Sequence, residues 1–237
     1  MDYINILQNI NIKIDIDSKR YVYNGKFVPR VTEILSSTIH EEYLLDWSNH
    51  LGFSRKNYRE TLQWYADVGT IVHSIIEDLI NKGYSDRTIK SDTMISSVNN
   101  AVMSFIEWYS IILNNNSKII CTEKKLICEW FGGTCDLLIN INGKNYLIDF
   151  KTSKRISFKH FLQLSAYKYI CELNNIKIDG VGILLLSRDR VQFSENILHM
   201  DIQDHKDYID MCTNTFFSLV CAYYNRIISE SMLNSIL

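Results

Sequence analysis

Two acids and a lysine form the group in this sequence best suited to chemistry: Asp136, Asp149 and Lys151. Asp149 and Lys151 lie two positions apart in an aliphatic and aromatic run, so in a strand both side chains point to one face and Phe150 to the other. If Asp136 lies on the neighbouring strand with its side chain on that face, two carboxylates and an ammonium meet. Carboxylates suit Mg²⁺ or Mn²⁺, which can activate water and stabilise a phosphate under attack while the lysine neutralises developing charge.

A β-hairpin should position these residues, because Asn142 and Gly143 are well suited to the positive φ angles of a short turn. The second strand of this hairpin is predicted over 146–151. A solvated hairpin whose charges simply face water is the competing interpretation, since a D-x-K motif is too short to decide the matter alone. The other signals along the chain must therefore decide between the two.

Hydrophobic periodicity predicts the remaining elements and a mixed sheet flanked by helices, so the fold class is α/β or α+β. The clearest helix covers 67–81 and stops at Lys82 and Gly83. The other predicted elements are an edge strand over 1–19, a hairpin over 21–28, a helix over 31–35 capped by Thr32, helices over 44–51 and 93–113, a strand over 118–128, a helix over 160–173, strands over 181–186 and 192–201, and a helix over 204–230.

The composition is that of a globular protein, with 46% hydrophobic and 22% charged residues among 237. Apolar runs are too short to cross a bilayer and the first residues lack a signal peptide, so we expect a cytoplasmic or nucleoid-like setting without secretion or membrane association. None of the six cysteines forms a C-x-x-C pair, which disfavours a zinc or iron–sulfur site. The net charge of −2 does not by itself indicate a nucleic-acid-binding protein, although basic residues can concentrate in one groove.

Two further features admit both a functional and a structural interpretation. His73 lies at the rim of the apolar stripe of the 67–81 helix, with Glu77 one turn later, so it is either a surface histidine or a metal ligand. Basic residues between 55 and 59 precede Trp64 and Tyr65. This mixture suits a single-stranded nucleic acid, and it equally suits an amphipathic helix with buried rings.

Four sequence blocks occur in order along the chain: Gly69–Glu77, Gly132–Asp136, Ile148–Ser153 and Gln163–Tyr167. Together they resemble the PD-(D/E)XK nuclease superfamily, specifically its RecB-like exonuclease branch. In order, they are similar to the upstream helix with a metal-binding histidine, the strand with the first acid, the second acid with the lysine, and the Q-x-x-x-Y helix of that branch. Cys135 stands where the superfamily signature has proline, which the branch tolerates. A looser match over 31–35 resembles the opening of phage exonucleases and of the mitochondrial genome maintenance exonuclease, and the resemblance covers roughly 28–190.

The resemblance implies a restriction-endonuclease-like fold, with a mixed central sheet flanked by helices and an N-terminal helical portion. It implies one domain over 1–237, divided into an N-terminal portion (1–66), a catalytic core (67–203) and a C-terminal helix (204–237). The implied activity is that of a Mg²⁺- or Mn²⁺-dependent DNA exonuclease acting on single strands or DNA ends in replication, recombination or repair, in a viral or similar setting. DNA is the implied partner, possible further partners are a helicase or a polymerase, and no iron–sulfur cluster is expected because the cysteines that bind one are missing.

The resemblance also assigns roles to individual residues. His73, Asp136, Asp149 and the carbonyl of Phe150 would hold one or two metal ions, and Lys151 would position the attacking water and stabilise charge. Glu77 and Glu123 would be supporting acids. The expected DNA contacts are Thr152, Ser153, Lys154, Gln163 and Tyr167, of which the last two would also brace the lysine.

Two alternatives to an exonuclease stay open at this point. One is a structure-specific endonuclease or junction resolvase of the same fold, and the other is an inert nucleic-acid-binding module. The D…D-x-K set disfavours the inert module, because placing two carboxylates side by side has an electrostatic cost that a scaffold gains nothing from. Strand polarity and the preference for single or double strands are not indicated by the sequence.

Overall fold

The computed structural model describes residues 21–39, 43–89, 91–113 and 116–236. The edge strand predicted over 1–19 lies outside these residues. The predicted division of the chain into portions 1–66, 67–203 and 204–237 of one domain stays a prediction. Within the described ranges, no helix is both long enough and apolar enough to cross a membrane.

A small hairpin and a five-stranded sheet contain the strands of the described chain. The hairpin is antiparallel and closes at Asn24 and Gly25, with φ angles of 47° and 78°, as the sequence predicts. The sheet has the strand order β3-β4-β5-β6-β7, in which only β5 and β6 run parallel. The strands are β1 (Tyr21–Tyr23), β2 (Lys26–Val28), β3 (Ser117–Ile127), β4 (Gly132–Ile141), β5 (Lys144–Lys151), β6 (Gly180–Leu186) and β7 (Phe193–His199).

Helices cover both faces of the five-stranded sheet, which confirms the predicted mixed α/β fold class. They are α1 (Val31–Thr38), α2 (Tyr43–Phe53), α3 (Tyr58–Lys82), α4 (Asp92–Leu113), α5 (Phe158–Leu173) and α6 (Gln203–Ile236). Buried residues of α3 and α4 pack with Ile148 and Phe150 on one face. Those of α1, α5 and α6 pack with Leu147 and Ile183 on the other. Strand β6 is buried on both faces, as its continuous apolar sequence predicts.

Local signals locate most of the boundaries correctly. The turn between β4 and β5 has φ angles of 52° at Asn142 and 84° at Gly143, so the central hairpin is confirmed. Helix α3 ends at Lys82 because Gly83 adopts the left-handed conformation, with φ 80°, and its N–H bonds to the carbonyl of Leu79.

Two predicted helix starts are wrong. Helix α3 begins at Tyr58 rather than at 67, because the side chain of Asn57 accepts hydrogen bonds from the backbone N–H groups of Arg59 and Glu60. Helix α1 begins at Val31, so Thr32 lies inside its first turn and does not cap it. The backbone N–H of Arg30, just before the helix, donates instead to the carboxylate of Glu33 at 3.5 Å.

Candidate metal centre

Helix α3 delivers His73 to the end of the central hairpin. The stripe that includes Val72 and Ile76 is buried against the sheet, so His73 lies at its rim with 26% of its side chain exposed. Its Nε2 lies 3.0 Å from the carbonyl oxygen of Phe150, and its Nδ1 lies 3.3 Å from Oδ1 of Asp136. A predicted ligand from the helix therefore meets two predicted ligands from adjacent strands.

Asp136 occupies the point at which β4 separates from β5. The hydrogen-bonded register of the two strands runs from the turn to Leu137 opposite Ile148 and goes no further. Beyond it, the backbone N–H of Phe150 donates to Oδ2 of Asp136 at 2.7 Å, so the carboxylate takes the place of a strand carbonyl. The second oxygen of Asp136 is thereby held toward His73, which approaches from the α3 face of the sheet.

Glu123 on β3 completes a cluster of three possible metal ligands. The flanking pairs of Thr122 with Leu137 and of Lys124 with Cys135 place it opposite Asp136. Its Oε1 lies 3.8 Å from Nδ1 of His73, and one ligand atom from each of His73, Glu123 and Asp136 lies within 4.8 Å of the other two. Glu123 has a left-handed φ of 46°, a conformation that costs a non-glycine residue about 1–3 kcal/mol and is concentrated at functional sites.

Asp149 and Lys151 form a buried ion pair beside this cluster. Both point away from Ile148 and Phe150, as strand alternation predicts, and Nζ of Lys151 lies 2.6 Å from Oδ2 of Asp149. Asp149 is only 2% exposed, yet neither of its carboxylate oxygens receives a well-oriented hydrogen bond within the described part of the chain. A buried carboxylate without such donors is costly, and a nearby cation would compensate for the missing donors.

The charged residues of the site shift one another's pKa values. Burial raises the pKa of Asp149 to about 6, which the ammonium of Lys151 only partly offsets. Burial lowers the pKa of His73, but the charge of Asp136 and hydrogen bonds to Asp136 and Glu123 outweigh it and raise the pKa to about 10. Burial opposes the charge of Lys151 as well, yet the two aspartates raise its pKa, so this lysine is a cation at neutral pH.

A chain of hydrogen bonds holds Lys151 from the α5 side. Its Nζ donates to Oε1 of Gln163 at 3.2 Å, and Nε2 of Gln163 donates to the hydroxyl of Tyr167 at 3.1 Å. Gln163 and Tyr167 are 9% and 3% exposed, which suits a bracing role inside the core, and their contact with DNA stays a prediction. Gly133 makes room for Tyr167, because a Cβ at this position would lie 2.4 Å from the tyrosine ring.

The remaining predicted site residues line two clefts of the described chain. Thr152, Ser153 and Lys154 directly follow Lys151 and line a cavity of about 500 Å³. Glu77 lines a cleft of about 390 Å³ together with His73 and Glu123, although it is not one of the three clustered ligands.

The clustered residues in the structure differ from the predicted set of side-chain metal ligands at two positions, Glu123 and Asp149. Glu123, expected only as a supporting acid, is one of the three clustered residues, whereas Asp149 is paired with Lys151. A sequence signal for Glu123 exists, because pairing Ile127 with Gly132 across a tight turn brings Glu123 opposite Asp136. The role of Gly133 depends on a ring from a distant helix and has no local signal.

Comparison with known proteins adds little to this geometry. No family model matches the chain, and no curated protein matches it. Among solved structures, it is similar to a phage-related exonuclease from Haemophilus somnus 129PT, at 12% identity over 86% of this chain and 96% of that one, with a TM-score of 0.40. It is also similar to the protein SSO0001, at 16% identity over 64% of this chain and 74% of that one, with a TM-score of 0.30. Neither TM-score reaches 0.5, so the function proposed below rests on the residues of this chain.

Proposed function

We propose that this protein is a divalent-metal-dependent nuclease that hydrolyses phosphodiester bonds in DNA, as an exonuclease acting on single strands or DNA ends. The observation that supports it is the convergence of His73, Glu123 and Asp136, from one helix and two strands, beside the buried pair of Asp149 and Lys151. An imidazole and several carboxylates can bind a metal ion that assists phosphodiester hydrolysis, and a protonated lysine can stabilise the charge that develops on the phosphate.

The residues present fit a divalent metal ion. His73, Glu123 and Asp136 would hold it, with Asp149 and the carbonyl of Phe150 as further oxygen donors. Oxygen ligands suit Mg²⁺ and Mn²⁺, and the imidazole of His73 is accommodated more readily by Mn²⁺. Burial raises the pKa of Asp149 more than the paired Lys151 lowers it, so a bound cation would also stabilise its carboxylate. When bound, such an ion would supply an activated water and neutralise charge on the phosphate.

Lys151 serves as a fixed positive charge. Because the two aspartates raise its pKa, it stays protonated at neutral pH and is poorly suited to remove a proton from water. Its ammonium contacts Asp149 and donates a hydrogen bond to Gln163, and these two contacts fix its position. A cation fixed in this way stabilises negative charge developing on phosphate oxygens without reorganisation at the moment of reaction.

The test is digestion of single-stranded DNA labelled at either end, with Mg²⁺, with Mn²⁺ and with chelator. We expect cleavage only with metal, and loss of cleavage by orders of magnitude in Asp136→Asn and Lys151→Ala, both with a native circular dichroism spectrum. Asp201→Asn is the matched control, since its side chain is 62% exposed and pairs with Lys144 on the surface. Cleavage that persists with chelator, or in both site variants, would refute the proposal.

Circular single-stranded DNA separates the exonuclease from an endonuclease of the same fold. An exonuclease should leave the circle intact while releasing mononucleotides from the linear strand. Cleavage of the circle would assign the site to an endonuclease and leave the metal chemistry unchanged.

A further inference from the structure

The loop between β6 and β7, residues 187–192, is held rigidly next to the metal centre. Its ends are closed by the N–H of Ser187, which donates to the carbonyl of Gln192 at 3.0 Å. Helix α4 fixes it at two points: Nδ2 of Asn100 donates to the carbonyl of Arg188 at 3.0 Å, and the N–H of Gln192 donates to the hydroxyl of Ser104 at 2.8 Å. The loop therefore presents its side chains from a fixed backbone.

Arg188 projects from this loop over an aromatic ring of α3. Its guanidinium carbon lies 4.0 Å from the centre of the Tyr65 ring. Trp64 and Trp47 in turn hold that ring, with centroid distances of 5.2 and 6.0 Å. Within the part of the chain that the structure describes, the guanidinium has no carboxylate within ion-pair distance and donates no hydrogen bond, so its donors are available to a ligand.

Other cations around the same cavity are already engaged. Nζ of Lys154 lies 3.0 Å from Asp189, and both side chains are largely exposed. Nε of Arg190, at the rim, donates to Oε1 of Gln192 at 2.7 Å. Among the described residues that line this cavity, Arg188 is therefore the half-buried cation that contacts an aromatic ring but neither pairs with a carboxylate nor donates a hydrogen bond.

The cavity has the size and position for a nucleotide next to the cleaved bond. Its volume of about 500 Å³ lies within the range of small-ligand sites. Arg188 lines it together with Thr152 and Ser153, which directly follow Lys151 on the chain. A Cβ at Gly69 of α3 would lie 3.5 Å from the hydroxyl of Thr152, so the helix that bears His73 packs beside Thr152.

We propose that Arg188 binds the phosphate of the nucleotide adjacent to the cleaved phosphodiester and so positions a single DNA strand across the metal centre. This role rests on the proposed nuclease function. A guanidinium forms two parallel hydrogen bonds to a phosphate, and stacking on Tyr65 fixes the plane from which they are donated. The hydroxyls of Thr152 and Ser153 can contribute further donors to the same phosphate.

The test is the affinity for a short fluorescent oligodeoxythymidylate, measured by anisotropy in chelator at several salt concentrations, so that no cleavage is needed. Arg188→Gln should weaken binding about tenfold, the effect of removing one charge-assisted contact. The slope of log affinity against log salt should fall by about 0.7, the value for one phosphate contact on a single strand. Arg190→Gln removes the same charge two residues away. It should alter the affinity by less than about threefold, because salt screens the attraction between an exposed arginine and the DNA phosphates.

Further arms address folding and the source of the phosphate. Arg188→Lys keeps the charge and the stem, so it should retain the salt dependence of the wild type but bind more weakly, since an ammonium cannot make the two-pronged contact. If Arg188→Gln does not fold, Arg188→Lys tests the contact between Arg188 and the phosphate in its place. Millimolar inorganic phosphate should compete only weakly with the oligonucleotide; strong competition would assign the site to free phosphate and overturn the positioning role.

The outcomes separate this inference from the nuclease proposal. The inference would be overturned if Arg188→Gln binds the oligonucleotide with the affinity and salt slope of the wild type, even if the wild type cleaves DNA. If Arg188→Gln does not fold, wild-type affinity in Arg188→Lys would overturn it. Equal losses in Arg188→Gln and Arg190→Gln would also overturn it, because they would show a diffuse charge effect. Failure of the wild type to bind the oligonucleotide would overturn it too. Selective loss in Arg188→Gln would support the phosphate contact, and absence of cleavage in the separate digestion assay would count against the nuclease proposal.

Discussion

Gly133→Ala should damage both the stability and the activity of this protein through one buried ring. The new Cβ would lie 2.4 Å from Cε1 of Tyr167 and 2.7 Å from its hydroxyl oxygen. Ordinary contact requires about 3.5 Å, so the ring must move by about 1 Å. Tyr167 is 3% exposed and cannot swing into solvent, so the strain falls on the core. Overpacking of this kind costs about 1–3 kcal/mol of unfolding free energy.

The same displacement should reach Lys151. The hydroxyl of Tyr167 accepts from Gln163 at 3.1 Å, and a shift of about 1 Å away from Gln163 takes this contact beyond hydrogen-bond distance. Gln163 then loses one of the two contacts that orient it toward the lysine. Misplacement of a catalytic group by about 1 Å can reduce turnover by about 100-fold, so we expect a loss of about 10- to 100-fold in kcat.

Urea unfolding and the end-labelled DNA assay together test this reasoning. Gly52→Ala is the matched control: nothing lies within 4 Å of its Cβ position inside helix α2, so the change should be neutral or slightly stabilising. In a Tyr167→Ala background, Gly133→Ala should cost little, because the obstructing ring is gone. Full stability and activity in Gly133→Ala, or an equal cost in both backgrounds, would refute the proposed contact.

Three further predictions follow from titratable groups. Burial lowers the pKa of His160 to about 4, and its Nδ1 accepts a hydrogen bond from the N–H of Ser157 at the start of α5. The folded state therefore favours the neutral imidazole, so the stability of the protein is unaffected above pH 6.5 and decreases as pH falls toward 4. Urea unfolding should show a loss of at most about 3 kcal/mol across this window, and His160→Gln should abolish that loss. Because the pKa of His73 is raised to about 10, this residue must lose a proton to bind metal. The affinity for Mn²⁺ should therefore increase with pH between about 6 and 9, and calorimetry in buffers of different ionisation enthalpy should detect the released proton. An affinity that does not change with pH would contradict this. Hydrogen bonds from Arg87 and Lys82 lower the pKa of Asp78, so Asp78→Asn should reduce the thermal midpoint, whereas the exposed Glu107→Gln should not.

Features that depend on neighbouring residues were predictable from the sequence. The central hairpin follows from the Asn142–Gly143 turn, and the end of α3 follows from Gly83, because each position needs a φ angle that few other residues adopt. Period-two alternation correctly separates Asp149 and Lys151 from Phe150. The start of α3 escaped prediction because the cap at Asn57 outweighs the polar character of the first turns.

Features that depend on tertiary packing were not predictable in the same way. Whether Glu123 joins the ligand cluster depends on how α3 packs on the β3–β4 hairpin, and its left-handed φ follows from no sequence pattern. The stacking of Arg188 on Tyr65 joins a loop to a helix that is distant in sequence. Periodicity constrains one element at a time, whereas these contacts depend on how separate elements meet.

Binding of Mn²⁺ to the purified protein, followed by electron paramagnetic resonance, tests the central claim most directly. The wild type should bind Mn²⁺ with nitrogen coupling from His73. Asp136→Asn should weaken binding at least about tenfold, the range for loss of a group that holds or orients a metal, while the surface variant Asp201→Asn should bind as the wild type does. Unchanged Mn²⁺ affinity in Asp136→Asn together with the same nitrogen coupling in His73→Gln would show that these residues do not form a metal centre.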